Sequence, residues 1–284
     1  MTRGLRESTM DKTILNLETV TPMFPRGHDN KTPELRPPPF KALFRYWWRA
    51  VVGEDENNLR NKERDLFGNT KKRSPLSVRI SGQASLRFDE YAPLPHQPDR
   101  FKSQAYHPNE TFNLTLVAPL LSEYERIAEI GFLLGGVGNR SRRGFGSIRY
   151  QDWSFHTVAD LQDKVFQTLH GISPGRFHKN PGSKIQVAPT IRLPDYPVIQ
   201  AIYLGDTSED VNNLLRRIGQ ATHYHCDNAL GSANPRMASP IHVRIQKVGN
   251  GFVPIVTQLN SVFPGTPPLH YGRKQKDFID AIIA

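Results

Sequence analysis

The chain has 284 residues, 37% of them hydrophobic, enough for one large or two ordinary packed domains. Lysine and arginine total 37 against 27 acids, and this formal charge of +10 favours an anionic partner, nucleic acid first among them, over an acidic or cationic one. The lone cysteine, Cys226, excludes an internal disulfide framework and fits a reducing cytoplasm. No apolar run approaches the roughly 20 residues of a membrane span, and the polar opening "MTRGLRESTMDK" lacks the apolar stretch of a secretory leader.

In chain order, residues 12–20, "KTILNLETV", read as a first strand, and a Pro-broken loop follows from Thr21 to Pro39. "FKALFRYWWRAVVG" is a helix closed by Gly53, and residues 54–75 read as charged and irregular. Val78, Ile80, Leu86 and Phe88 share one parity of a strand whose other parity is polar. A Pro-rich loop covers 89–110. Phe112, Leu114 and Leu116 then alternate with Thr111, Asn113 and Thr115 in a half-buried strand. Ser122, with Glu125 three residues on, is a capping-box pattern for a helix that Gly135 and Gly136 end, and "SIRYQDWSF" is a further strand. The order β-α-β-β-α-β is the ferredoxin-like plan, an antiparallel sheet with helices on one face.

The second half fits a repeat of that plan, without repeated sequence. Residues 171–197 are rich in Gly, Pro and Lys and read as a mobile connection. "PVIQAIYL" is a buried strand, and Val211, Leu214, Leu215 and Ile218 make a helical stripe begun by Thr207 or Ser208. Ile241, Val243 and Ile245 alternate with His242, Arg244 and Gln246. Asn250-Gly251 signals a hairpin into "FVPIVTQL", and residues 271–284 read as a terminal helix. The expectation is an α+β protein of two ferredoxin-like domains, residues 1–156 and 157–284.

Four stretches carry candidate chemistry. "GGVGNRSRRGFG", Gly135–Gly146, holds five glycines and three arginines with no acid. It fails the Walker pattern, lacking a closing Gly-Lys-Ser/Thr, and it fails the dinucleotide fingerprint because it follows a helix rather than a strand. No cofactor is therefore expected. From Ile130 to Gln151 there is no acid, so Arg140, Arg142, Arg143 and Arg149 suit a phosphate backbone that the glycines let come near. On the first helix Lys41, Arg45 and Arg49 recur every four residues, either as a solvated face or as one surface with that loop; Trp47 and Trp48 are assigned to the core. His28 and Asp29 are a candidate acid–base pair for an RNA 2′-hydroxyl, or ordinary loop chemistry. His223, His225, Cys226 and Asp227 do not match the spacing of common zinc sites, and no metal is expected.

"TPMF", "ELRPPPFKALFRYWWRAVVG", "ERDLFG", "SPLSVRI", "GFLLGGVGNRSRRGFGSI" and "MASPIHVRI", in this order, resemble the RAMP superfamily of CRISPR-associated proteins, and within it the first subunits of type III-B Cmr effector complexes. The resemblance covers most of residues 12–155 and, more thinly, 197–260. It implies two ferredoxin-like, RRM-related domains. It also implies a non-catalytic cytoplasmic subunit that holds guide RNA near its 3′ end and captures single-stranded target RNA beside other Cmr subunits in antiviral defence. Carried onto this chain, the RNA contacts are Arg36, Lys41, Arg45, Arg49, Asn139, Arg140, Ser141, Arg142 and Arg143. The chain departs from the family after the first strand, where Phe24-Pro25-Arg26-Gly27-His28 stands in place of frequent paired glycines. The alternatives are a RAMP-type endoribonuclease using His28 as general acid or base with Asp29 as metal or water partner, and an adaptor that makes no RNA contact.

Overall fold

A computed structural model describes residues 10–284; the start of the polar N-terminal segment lies outside the described residues. In chain order the elements are β1 (Asp11–Thr19), α1 (Pro37–Val52), α2 (Glu56–Phe67), β2 (Ser77–Ser81), β3 (Phe88–Tyr91), β4 (Ser103–Tyr106), β5 (Thr111–Ala118), α3 (Leu121–Leu134) and β6 (Ile148–Tyr150). The second half adds α4 (Val158–Ile172), β7 (Phe177–Asn180), β8 (Lys184–Val187), β9 (Ile199–Leu204), α5 (Val211–Tyr224), β10 (Ser232–Ala233), β11 (Arg236–Met237), β12 (Ile241–Val248), β13 (Gly251–Leu259) and α6 (Tyr271–Ile283).

The first sheet runs β2-β5-β1-β6, all antiparallel, the ferredoxin-like order. Leu15, Leu17, Phe112, Leu114 and Leu116 turn inward to Phe40, Phe44 and Trp47 of α1 and Phe132 of α3. Each such large side chain contributes about 2–3 kcal/mol when fully buried. Three prolines open α1, where missing N–H groups cost nothing, and Gly53 closes it in the left-handed region (φ 55°). The outer face of the sheet carries Ile14, Asn16, Arg79, Asn113 and Thr115 and no aromatic ring.

The second sheet runs β12-β13-β9-β8-β7. The segment β9-α5-β12-β13-α6 follows the ferredoxin-like order, and the place of its fourth strand is taken by β8, which precedes β9 in the chain. This sheet lies between two helical layers. Helices α3 and α4 cover one face, and α5 and α6 cover the other. On β12, Ile241, Val243 and Ile245 join the cluster of Leu214, Ile218, Phe278 and Ile282, while His242, Arg244 and Gln246 are buried against the first half of the chain.

Several local expectations are corrected. Residues 54–75 hold a full helix, α2, capped by Asp55, whose carboxylate accepts from the Asn58 amide; its buried side is only Leu59, Glu63 and Phe67. The parity series through Phe88 breaks at Gly82 (φ 83°). β2 stays in the first sheet, whereas β3 pairs with β4 in a separate ribbon inside the supposed 89–110 loop. Ser122 does not cap α3, which starts one residue earlier at Leu121. α5 is capped by Asp210, not by Thr207 or Ser208. The 171–197 stretch contains the hairpin of β7 and β8.

Candidate nucleic-acid interface

The Gly135–Gly146 loop is a joint. On one side the Asn139 amide donates to the Phe24 carbonyl at 2.9 Å and the Gly146 amide to the Pro22 carbonyl at 2.9 Å. On the other side the Gly144 amide donates to the Val243 carbonyl at 2.9 Å, and the Val243 amide to the Arg142 carbonyl at 3.1 Å. Thr21 Oγ1 donates to the Gly144 carbonyl at 2.8 Å and accepts from the Ser147 amide. Ser147 Oγ then accepts from the Ile245 amide at 3.2 Å. The loop thus ties the segment after β1 to strand β12.

This bonding explains the glycines differently from the sequence reading. A Cβ on Gly138 (φ 92°) would lie 2.6 Å from the Phe24 carbonyl, and one on Gly146 (φ 64°) 1.9 Å from the Val137 carbonyl oxygen. The close approach they permit is of protein backbone to protein backbone, in a conformation only glycine adopts freely.

The arginines of the loop divide. Arg143 points inward: it donates to the carbonyls of Arg142 and Ile241, each at 2.9 Å, and to Ser239 Oγ at 3.0 Å, with its guanidinium 5.2 Å from the Phe278 ring centre. Burial, with the Arg140 and Arg142 charges, pushes it down to about 10, still protonated at neutral pH. Arg142 is half-buried, and among the described residues its side chain makes one hydrogen bond, from Nη1 to the Ser239 carbonyl at 3.3 Å. Arg140 sits at φ 61° with its Nε buried and, among the described residues, unpartnered, and burial lowers its pKa. Ser141 is half-buried between them. Asn139 is exposed, its carboxamide oxygen placed to accept from Arg26 Nε at 2.5 Å.

The α1 row divides as well. Lys41 Nζ donates to the Leu76 carbonyl at 2.6 Å, and burial together with the Arg73 charge lowers its pKa. Arg45 and Arg49 both face Glu63 of α2, Arg45 in direct contact and Arg49 at 3.7 Å. Glu63 is 6% exposed, so two guanidiniums offset the cost of burying its carboxylate. Arg36 donates to the Arg26 carbonyl at 3.0 Å and lies 3.9 Å from Glu34. Only the Arg49 end of the row reaches the loop, through Tyr46. Burial pushes the Tyr46 hydroxyl up, against the opposing charges of Arg142 and Arg49.

Behind Tyr46 lies a residue whose role the sequence did not disclose. Tyr46 Oη and His242 Nε2 are 3.0 Å apart, and the His242 ring packs 5.4 Å from Tyr46 and 5.2 Å from Trp47. Burial, then the charges of Arg142 and Arg143, hold His242 well below the ordinary histidine range, so it is neutral. Arg244 is fully buried two residues on. It donates to the carbonyls of Gly135 and Ile148, and burial pushes it down to about 9.

Asp29 accepts from the amides of Lys31 and Thr32, each at 2.9 Å, and from Thr32 Oγ1 at 2.7 Å, and these bonds lower it to about 2. Its two oxygens build a turn, and no hydrogen bond joins it to the exposed His28 among the described residues. His223 stacks on His96, and Asp227 caps the turn at Ala229 and pairs with Lys274.

Residues 16–149 match the family model described as the RAMP superfamily. The first half of the chain is therefore similar to RAMP-superfamily proteins. Among curated relatives, the Cmr subunit Cmr1-2 of Pyrococcus furiosus is 28% identical over 181 residues, spanning 50% of this chain and 96% of that one. Cmr subunit Cmr1-1 of the same organism is 29% identical over 153 residues, 45% of this chain and 44% of its own length. The crystal structure of Cmr1 from Pyrococcus furiosus matches with a TM-score of 0.63 at 17% identity, covering 96% of each chain. A chain of a type III-B Cmr-β complex bound to cognate target RNA matches with a TM-score of 0.62 at 11% identity, covering 96% of this chain and 99% of that one. The shared fold thus extends beyond the family-matched half. Among the described residues no helix is long and apolar enough to cross a membrane.

Proposed function

We propose that this protein is a non-catalytic, cytoplasmic RNA-binding subunit of a type III-B CRISPR effector complex, holding guide RNA near its 3′ end and capturing single-stranded target RNA beside other Cmr subunits. The likeness to Cmr1 subunits supports the assembly. The observation that carries RNA contact is the surface where Arg49, Tyr46 and Arg142 converge on the loop joint, with Arg140 two residues away on the same loop, which has no acid from Ile130 to Gln151. Arginines with unoccupied donors on a rigid support suit phosphate oxygens. Arg143, Arg45 and Lys41 act one layer behind, holding respectively the joint, α2 and the segment before β2 in place. The endoribonuclease alternative gains no support, because Asp29 is committed to its turn.

The test is anisotropy of labelled single-stranded RNA over a salt series, with and without Mg²⁺, with integrity read on a gel. Replacing Arg140 and Arg142 together by alanine is expected to weaken binding at least tenfold and to lower the slope of log affinity against log salt by about 2. Unchanged affinity and slope would remove the loop from the interface. RNA cleavage that disappears in His28→Ala would replace the proposal with the nuclease.

A further inference from the structure

A cleft of about 420 Å³ opens beside the joint, where α1, the loop, the β10–β11 ribbon and the segment after β13 meet. Tyr46, Arg142, Arg236, Met237, Asn260 and Phe263 line it, and among the described residues no carboxylate does. Its volume lies in the range of small-ligand sites. Two guanidiniums with free donors flank it. Among the described residues the Arg142 side chain makes only the bond to the Ser239 carbonyl, and the exposed Arg236 side chain makes no hydrogen bond or ion pair. Both aromatic rings are held in place: Tyr46 by His242, and half-buried Phe263 edge-on to Tyr271 at 5.0 Å.

The neutral side chains able to read a base edge, Ser239 and Asn260, are already occupied. Ser239 Oγ accepts from Arg143 and donates to the Ile241 carbonyl. The Asn260 carboxamide accepts from the Val198 amide at 2.7 Å and donates to the Pro194 carbonyl at 2.8 Å. What remains is ring surface and positive charge. Every base has a ring face and every nucleotide a phosphate, whereas base discrimination needs directed donors and acceptors. The outer face of the first sheet, where an RRM would stack bases, has no aromatic residue to do so.

Resting on the RNA-binding reading, we infer that this cleft takes one unpaired nucleotide of single-stranded RNA without base preference, its ring against Phe263 and Tyr46 and its phosphate between Arg142 and Arg236. Such a site suits an RNA whose sequence varies.

The full chain would be irradiated with single-stranded RNAs of about a dozen nucleotides carrying 4-thiouridine, and the adducts mapped by mass spectrometry. Adducts are expected on Tyr46, Met237 or Phe263. Phe263→Ala and, separately, Arg236→Ala are expected to weaken binding about tenfold and to deplete those adducts; Arg236 is exposed, so its variant tests the cleft even if the Phe263 variant folds poorly. Four homopolymeric RNAs should bind within a few-fold of one another. RNA that binds normally while its adducts fall elsewhere and both variants are neutral would overturn the cleft and leave the RNA-binding reading intact. A preference above tenfold for one base would overturn its sequence tolerance. Failure of the unaltered chain to bind any RNA would defeat both.

Discussion

Strands β5 and β12 carry the same pattern and have opposite fates. In β5, Phe112, Leu114 and Leu116 are buried while Thr111, Asn113 and Thr115 face outward, as alternation ordinarily means. In β12, Ile241, Val243 and Ile245 are buried, and so are His242, Arg244 and Gln246 between them. The difference lies in what each strand is packed against. β5 has helices on one side and water on the other, whereas β12 has α5 and α6 behind it and the α1–α3 layer with the Gly-Arg loop in front. Polar parity identifies a strand; it identifies a wet face only where nothing else covers it.

This contrast is most directly broken by substitutions at matched polar positions. Arg244→Ala removes the donor to the Gly135 and Ile148 carbonyls and leaves a void in the joint, at an expected cost of about 3–5 kcal/mol. Asn113→Thr, at the equivalent parity of β5, should change stability by less than about 0.5 kcal/mol. Urea midpoints of the two variants compare them; equal shifts would mean that β12 is not sandwiched as described. Next in size is Gly146→Ala. Its methyl would meet the Val137 carbonyl oxygen in a left-handed conformation, and a loss of about 2–3 kcal/mol is expected.

His242 sharpens the contrast through pH. Its folded pKa lies well below 6.5, so below about pH 6.5 the unfolded chain binds a proton that the folded chain refuses. Stability should therefore fall as pH falls through the unfolded value, by up to about 1.4 kcal/mol per unit from this group. In His242→Gln the stability–pH curve between pH 6.5 and 5 should flatten relative to the unaltered chain. A smaller effect is expected on α1. Glu63→Gln removes the carboxylate facing Arg45 and Arg49 and should cost about 1–2 kcal/mol by thermal melting, with RNA affinity equal to or above that of the unaltered chain. Arg142→Ala should do the reverse, weakening RNA binding while changing stability by under about 0.5 kcal/mol.

Much of the first half was legible because its elements follow single strong signals. Gly53 closes α1, alternation marks β5, and paired glycines end α3; Pro37–Pro39, read as the end of the preceding loop, instead form the first turn of α1, where their missing N–H groups leave no helical bond unmade. α2 was hidden because only three of its twelve residues are buried, one of them Glu63, so no apolar stripe appears. β3 continued the parity of β2 past Gly82, and parity alone does not show a chain leaving its sheet. In the candidate interface the loop arginines stood out by composition, but nothing in their spacing separates Arg143, which turns into the joint, from Arg142, which borders the cleft. Arg236 and Phe263 sat in unremarkable loop sequence.

From composition and order alone come the basic character, the β-α-β-β-α-β plan of the first half, and the acid-free Gly-Arg loop next to a strand. These are properties of local propensity, patterning and charge, which a linear chain carries in itself. Tertiary structure decided which arginines stay free, why the glycines are required, and that β8 completes the second sheet. It also set Tyr46, Arg142, Arg236 and Phe263 around one cleft, with His242 behind Tyr46. Those outcomes depend on which surfaces meet across long sequence separations: the same guanidinium is a ligand contact when it reaches solvent and a structural tie when a carbonyl from another strand arrives first.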